Sequence, residues 1–216
     1  MDFAAARRKM VSSQLKPNEV NDPVVIAAMG AVPREKFLQP AQRQFAYVDE
    51  DLPIGNGRAI MEPMVLARLL QLAETQPTDS ALVVAAGTGY AVAVLARLTS
   101  SVVAIESDPV LAAAASRVLT ELAVDNAAVV QGPLPAGAPT QAPFDVILIN
   151  GAVDEIPDAL KRQLSDGGRL VGVVREGPIG RGTLVTRSGQ AFGIRTEFDC
   201  ATPVLPGFTK QPGFVF

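Results

Sequence analysis

Residues 80–106 read SALVVAAGTGYAVAVLARLTSSVVAIE, and the fold is decided there. Ala81 to Ala86 is an apolar run of strand length that ends at Gly87-Thr88-Gly89. Val92 to Leu98 is helical in pattern, and Ser101 to Ile105 is a second run that ends in Glu106. A strand, a glycine turn, a helix and another strand make a unit whose strands lie parallel, with the helix crossing between them. The alternation continues outward. Asp108-Pro109 caps an alanine-rich helix to Leu122, and Ala127 to Val130 and Phe144 to Ile149 are further runs. Ile156 to Leu164 reads as a helix stopped by Gly167-Gly168, and Arg169 to Val174 is a fifth run. This order predicts an α/β fold, a doubly wound and mostly parallel sheet with helices on both faces. Gly182 to Thr186 and Phe192 to Phe198 flank a Ser188-Gly189 turn, which predicts an antiparallel C-terminal hairpin on the same sheet.

Upstream, the chain reads as a helical N-terminal layer. Met10, Val11 and Leu15 mark the buried stripe of a first helix. Asn21-Asp22-Pro23 caps a second one through Val24 to Met29, closed by Gly30. The segment from Phe37 to Gly57, with Pro40, Pro53, Gly55 and Gly57, follows neither period and reads as a loop. Glu62-Pro63 then opens a helix whose apolar face is Met64, Leu66, Leu69, Leu70 and Leu72. The expected organisation is one domain over 1–216, with the helical layer over 1–79 and the sheet with its C-terminal strands over 80–216.

Composition narrows the chemistry. The chain has 216 residues, 48% hydrophobic and 19% charged, with 19 basic against 22 acidic side chains and a net charge of −3. A folded globule is expected, and a basic nucleic-acid surface is not. There is no histidine, and Cys200 is the single cysteine. A Cys/His zinc site, a Ser-His-Asp triad and an internal disulfide are therefore excluded. Met1 to Lys9 lacks the apolar stretch of a signal peptide, and no segment approaches the roughly 18 apolar residues of a membrane span, so a cytoplasmic location is expected.

The turn at Gly87-Thr88-Gly89-Tyr90 carries the strongest chemical signal. Glycines let the backbone approach a ligand, and a helix start offers unpaired amides to a polar one. A dinucleotide fingerprint requires a third glycine or an alanine where this chain has Val92, which argues against NAD or FAD. No phosphate-binding G-x-x-x-x-G-K-S/T occurs. Glu106, at the end of the second run, stands where an acidic side chain accepts hydrogen bonds from both ribose hydroxyls of a nucleoside, since a carboxylate has two acceptor oxygens for a vicinal diol. The same glycines also suit a plain tight turn, and the same acid a helix cap. If Glu106 grips a ribose, Glu106→Ala is expected to weaken nucleoside binding and leave the fold intact.

Met10-Val11 with Gln14-Leu15, Val32-Pro33-Arg34-Glu35-Lys36-Phe37, Ala46-Tyr47, Asp51-Leu52-Pro53-Ile54-Gly55, Gly87-Thr88-Gly89-Tyr90, Ile105-Glu106 and Gly167-Gly168-Arg169-Leu170-Val171 follow one another along the chain. In these pieces, and over nearly its whole length, the chain resembles the protein-L-isoaspartate O-methyltransferase family. The resemblance implies a Rossmann-like methyltransferase fold, S-adenosylmethionine as cofactor, and methylation of the isoaspartyl carboxyl in damaged proteins. It also implies that Ala85, Gly87, Gly89 and Tyr90 border the methionine and ribose part of the cofactor, that Glu106 holds the ribose hydroxyls, and that Gly132, Pro133 and Leu134 lie beside the adenine. Ile60 and Met61 fall at the catalytic positions of the substrate loop.

Three motifs depart from the family pattern. Val83 and Ala85 stand where the first motif has an acid and a glycine. Ala59-Ile60-Met61 replaces a T-I-S sequence, so both hydroxyls are missing. Gly132-Pro133-Leu134 replaces G-D-G. The implied function is a protein carboxyl methyltransferase with isoaspartyl proteins or peptides as partners. The alternative is a family descendant with lost or altered activity, either a noncatalytic binding protein or a transferase with another acceptor. Cys200 reads as a small filler near a strand end, and Asp49-Glu50-Asp51 as solvated loop acids without a metal. Phe208, Phe214 and Phe216 read as packing onto the sheet edge or as an interaction patch. The oligomeric state stays open.

Overall fold

In the computed structural model, which describes residues 1–209, helix α1 (Phe3–Met10) starts at Asp2, whose side chain accepts from the Ala5 amide at 2.9 Å. A π-helical turn, Val11–Leu15, continues it; Met10 and Leu15 of the expected stripe are buried, and Val11 is half-buried against the core. In α2 (Pro23–Ala31) the Asp22 carboxylate accepts from Val24 and Val25 at 2.7 and 3.3 Å. This helix runs one residue past Gly30. It ends where Val32, before Pro33, turns extended.

The expected loop 37–57 holds two features that neither sequence period reveals. Pro40–Phe45 forms a 3-10 turn, and β1 (Leu52–Gly55) pairs antiparallel with β2 (Arg58–Ile60) in a separate two-stranded sheet. Gly55, Asn56 and Gly57 make its turn with φ of 96°, 50° and 69°. Helix α3 (Pro63–Leu72) follows, with Leu66, Leu69 and Leu70 fully buried.

Next come β3 (Ser80–Val84), α4 (Tyr90–Leu95), β4 (Ser101–Glu106), α5 (Pro109–Glu121), β5 (Ala127–Gln131) and β6 (Phe144–Val153). A single turn, α6 (Asp158–Lys161), leads to β7 (Leu164–Glu176), β8 (Ile179–Ser188) and β9 (Ala191–Cys200). The strand order is β5-β4-β3-β6-β7-β8-β9. It is parallel from β5 to β7 and antiparallel from β7 to β9. The doubly wound sheet and its C-terminal hairpin are thus as expected.

One expected helix shortens. Between Ile156 and Leu164 only α6 is helical, because Pro157 sits ahead of it and Leu164 already pairs with Phe144. Gly167-Gly168 therefore lies inside β7, at a register shift. A side chain on Gly168 would sit 2.9 Å from the Ser165 carbonyl.

Alternate strand residues serve opposite faces. Ala81, Val83, Val102, Ala104, Leu148, Val171 and Val173 pack beneath α2, α3 and α4. Leu82, Val84, Ile105, Ile147, Ile149 and Leu170 pack on the other side with Leu160, Leu205 and Phe208. Phe208 thus seats on the sheet, whereas Phe214 and Phe216 lie outside the described residues. The chain leaves β3 toward β4 and β5, then returns to β6 on the other flank. The carboxyl ends of β3, β4 and β6 consequently meet at a topological switch point, where open α/β sheets bind ligands.

Candidate functional site

At the end of β3 the backbone turns through Ala85, a residue with φ +74°. The amides of Ala85 and Ala86 both donate to the Ile105 carbonyl, at 2.9 and 3.0 Å, and the Ala85 carbonyl accepts from Asn150 Nδ2 at 2.9 Å. These bonds tie the turn to β4 and β6. A side chain on Gly89, at φ +99°, would meet Ala115 Cβ of α5 at 3.2 Å, so this glycine sets helix packing as well as the turn. Tyr90 lines a small cavity beside Gly87 and Met61. Its ring meets Phe37 edge-on at 5.5 Å and lies under the Arg34 guanidinium at 4.9 Å, all three buried in the N-terminal layer. Arg34 Nε also donates to the Ala46 carbonyl at 2.7 Å, and the Glu35 carboxylate accepts from the Tyr47 hydroxyl. The V-P-R-E-K-F and Ala46-Tyr47 pieces are therefore one packed unit with Tyr90.

Glu106 ends β4 with a fully buried carboxylate that accepts five hydrogen bonds. Its Oε2 takes the Gly87 amide at 2.7 Å, and its Oε1 takes the amides of Ser107 and Asp108 at 2.8 and 3.0 Å. The remaining two come from Arg58 of β2, with Nη1 on Oε1 at 2.7 Å and Nη2 on Oε2 at 3.0 Å. This bidentate ion pair has side chains only 3% and 0% exposed. It links residues 48 positions apart, and neither short-range spacing nor periodicity exposes such a partner. The one sequence-level signal is a cation isolated among Gly57, Ala59 and Ile60, in a segment otherwise read as a loop.

The other positions singled out from sequence fall in three places. Met61 and Ile60 are buried, and Met61 lines a cavity of about 10 Å³ with Ile54, Leu66, Gly87, Thr88 and Asn150. Gly132 donates its amide to the Glu106 carbonyl at 3.0 Å, which keeps it beside the strand end. Pro133 supplies no amide and precedes a 3-10 turn, and Leu134 is buried in the core of the second face. The structure thus brings Gly87, Glu106, Gly132 and Met61 around one strand end. Ala85 serves the turn, Gly89 serves packing, Tyr90 both lines the cavity and packs against Phe37 and Arg34, and Leu134 serves the core.

The residues present do not fit a nucleoside in this conformation. Both Glu106 oxygens are taken by Arg58, and the cavity of about 10 Å³ holds one water at most. A small-molecule site needs roughly 300 Å³ or more. An open cleft of about 290 Å³ lies immediately outside the pair, lined by Asn56, Arg58, Ser107, Asp108, Pro109 and Pro206.

Next to Ile60 and Met61 the charges are acidic. Burial, and then the negative charges of Asp49 and Asp51, push Glu62 up to about 7. Its amide donates to Asp51 at 2.6 Å. Burial likewise pushes the Cys200 thiol up to about 11, in keeping with a filler at the end of β9. Among the described residues no cluster of acids and cysteine could hold a metal, and no helix is long and apolar enough to cross a membrane.

Residues 6–195 match the family described as Protein-L-isoaspartate(D-aspartate) O-methyltransferase. A protein-L-isoaspartate O-methyltransferase of Methylorubrum extorquens (strain PA1) is 44% identical over 191 residues, covering 88% of this chain and 82% of the relative. Protein-L-isoaspartate O-methyltransferase 1 of Rhodopseudomonas palustris (strain HaA2) is 41% identical over 169 residues, 78% of this chain and 69% of the relative. A solved protein-L-isoaspartate O-methyltransferase superposes with a TM-score of 0.81 at 24% identity, over 93% of this chain and 66% of the other. A Plasmodium falciparum structure described as a complex with S-adenosyl-L-homocysteine superposes at 0.77 with 19% identity, over 92% and 97%. At these identities the structural likeness is one of fold.

Proposed function

Because the chain belongs to the protein-L-isoaspartate O-methyltransferase family, we propose that it is an S-adenosylmethionine-dependent methyltransferase that acts on the carboxyl of isoaspartyl residues in damaged proteins. The observation that supports this reading is the acidic strand end at the switch point. Glu106 and the Gly87 amide are joined there at 2.7 Å, within a chain that matches the family from residue 6 to 195. The apolar Ile60 and Met61 are compatible with it, since methyl transfer depends more on orienting the acceptor than on acid-base side chains.

A second reading, a family descendant with lost or altered activity, is favoured by one observation: Arg58 holds both oxygens of Glu106. Calorimetric titration with S-adenosylmethionine and S-adenosylhomocysteine, followed by a methyl-transfer assay on an isoaspartyl peptide and its normal aspartyl twin, separates the two. Transfer to the isoaspartyl peptide alone supports the first reading. Binding without transfer to either peptide supports the second.

A further inference from the structure

We infer that the β1–β2 hairpin is an internal cap on the proposed cofactor site, latched by Arg58, and that a nucleoside enters only when the tip of this hairpin lifts. The inference rests on the reading of Glu106 as the ribose acceptor. A guanidinium edge offers two parallel N–H donors, and a ribose offers two adjacent hydroxyl donors. Both address the same pair of carboxylate oxygens, so Arg58 and a ribose exclude each other. The hairpin excludes volume as well. A side chain built on Gly87 would meet Ile54 Cδ1 at 3.1 Å, so β1 lies directly over the glycine turn.

The base of the hairpin is fixed, with Leu52 and Ile60 in the core and the Pro53 carbonyl accepting from Gln42 at 2.8 Å, so the part that opens is the tip from Gly55 to Arg58. β1 and β2 form a two-stranded sheet outside the main one, with only three residue pairs in register, and such ribbons are marginally stable alone. The tip is held by an exposed bond from Asn56 Nδ2 to Asp108. Arg58 already lines the outer cleft of about 290 Å³, which gives its guanidinium a path to solvent. Once it leaves, Glu106 keeps the amides of Gly87, Ser107 and Asp108, and a diol can take the vacated lone pairs one for one. The apparent affinity for a nucleoside is then the intrinsic one reduced by the open fraction.

The test is titration of S-adenosylhomocysteine into the wild type, Arg58→Met and Arg58→Gln, with amide exchange followed in residues 52–60 and in β3. The expected result is binding at least tenfold tighter in both variants than in the wild type, with faster exchange in 52–60 relative to β3, which stays protected. Equal, measurable affinities in all three proteins overturn the latch and leave the cofactor reading standing. No binding at millimolar ligand by variants whose β3 stays protected overturns the cofactor reading, and the latch with it. Should neither arginine variant fold, Asn56→Ala loosens only the exposed tip. A tighter affinity in that variant supports the latch, and an unchanged one overturns it.

Discussion

Glu106 concentrates five hydrogen bonds and the positive charge of Arg58 on a carboxylate shut off from solvent. Removing one member of a buried pair leaves the other charged and unpaired, which costs about 3–5 kcal/mol. Glu106→Ala is therefore expected to destabilise the fold by that order in urea unfolding, contrary to the sequence-based expectation of an intact fold. The double variant Glu106→Ala/Arg58→Met should recover much of the loss, and a double variant as unstable as the single would break the assigned coupling. Glu62, ahead of α3, gives a pH signature of its own. Its proton affinity is raised in the folded state, from 4.5 to about 7, so the native protein binds more protons than the unfolded chain between those values. Stability from this group is present below the lower value and is lost as pH rises through about 7. Glu62→Gln should raise Tm relative to wild type at pH 8 and have little effect at pH 5. A shift of the same size at both pH values would contradict the assignment.

The elements legible in the sequence are those whose cause is local. Asp22-Pro23 and Asp108-Pro109 cap α2 and α5 as read, with Asp108 accepting from Val110 at 2.8 Å. The apolar runs of β3, β4 and β6 stand at their expected places, since burial on both sheet faces writes a continuous hydrophobic stretch. The β1–β2 hairpin was not legible. Its strands are four and three residues long, and Pro53 and two glycines mimic a loop. Its partner, Glu106, lies far along the chain. The acid and glycine missing at positions 83 and 85 leave different traces: Val83 is core, while Ala85 still holds a left-handed conformation at φ +74°. Gly89 is less forgiving, at φ +99° with Ala115 Cβ 3.2 Å from a built side chain. Gly89→Ala is expected to cost at least about 1–2 kcal/mol from the backbone alone. Adding Ala115→Gly should restore only the contact part. Full recovery in the denaturant midpoint would show that packing, and not φ, sets the requirement.

At the scale of the molecule, one face of the sheet is covered by α2, α3 and α4, and the other is closed in part by the C-terminal segment. That segment is stitched to β6 by the Ala152 amide on Pro203 at 3.0 Å and the Leu205 amide on Ala152 at 2.8 Å. Leu205 fills the space over Gly151, where a side chain would meet its Cδ2 at 2.5 Å. The next residue, Pro206, reaches the other region: it lines the outer cleft with Asn56 and Arg58, and its ring lies 3.9 Å from a side chain built on Gly57. One short strap thus spans from the second core to the tip of the hairpin. Leu205→Ala removes a buried side chain and is expected to cost about 2–5 kcal/mol in urea unfolding. If the strap also steadies the hairpin, amide exchange in that variant should quicken at residues 55–58 as well as at 152–154. Acceleration confined to 152–154 would show that the strap contributes nothing to holding the hairpin in place.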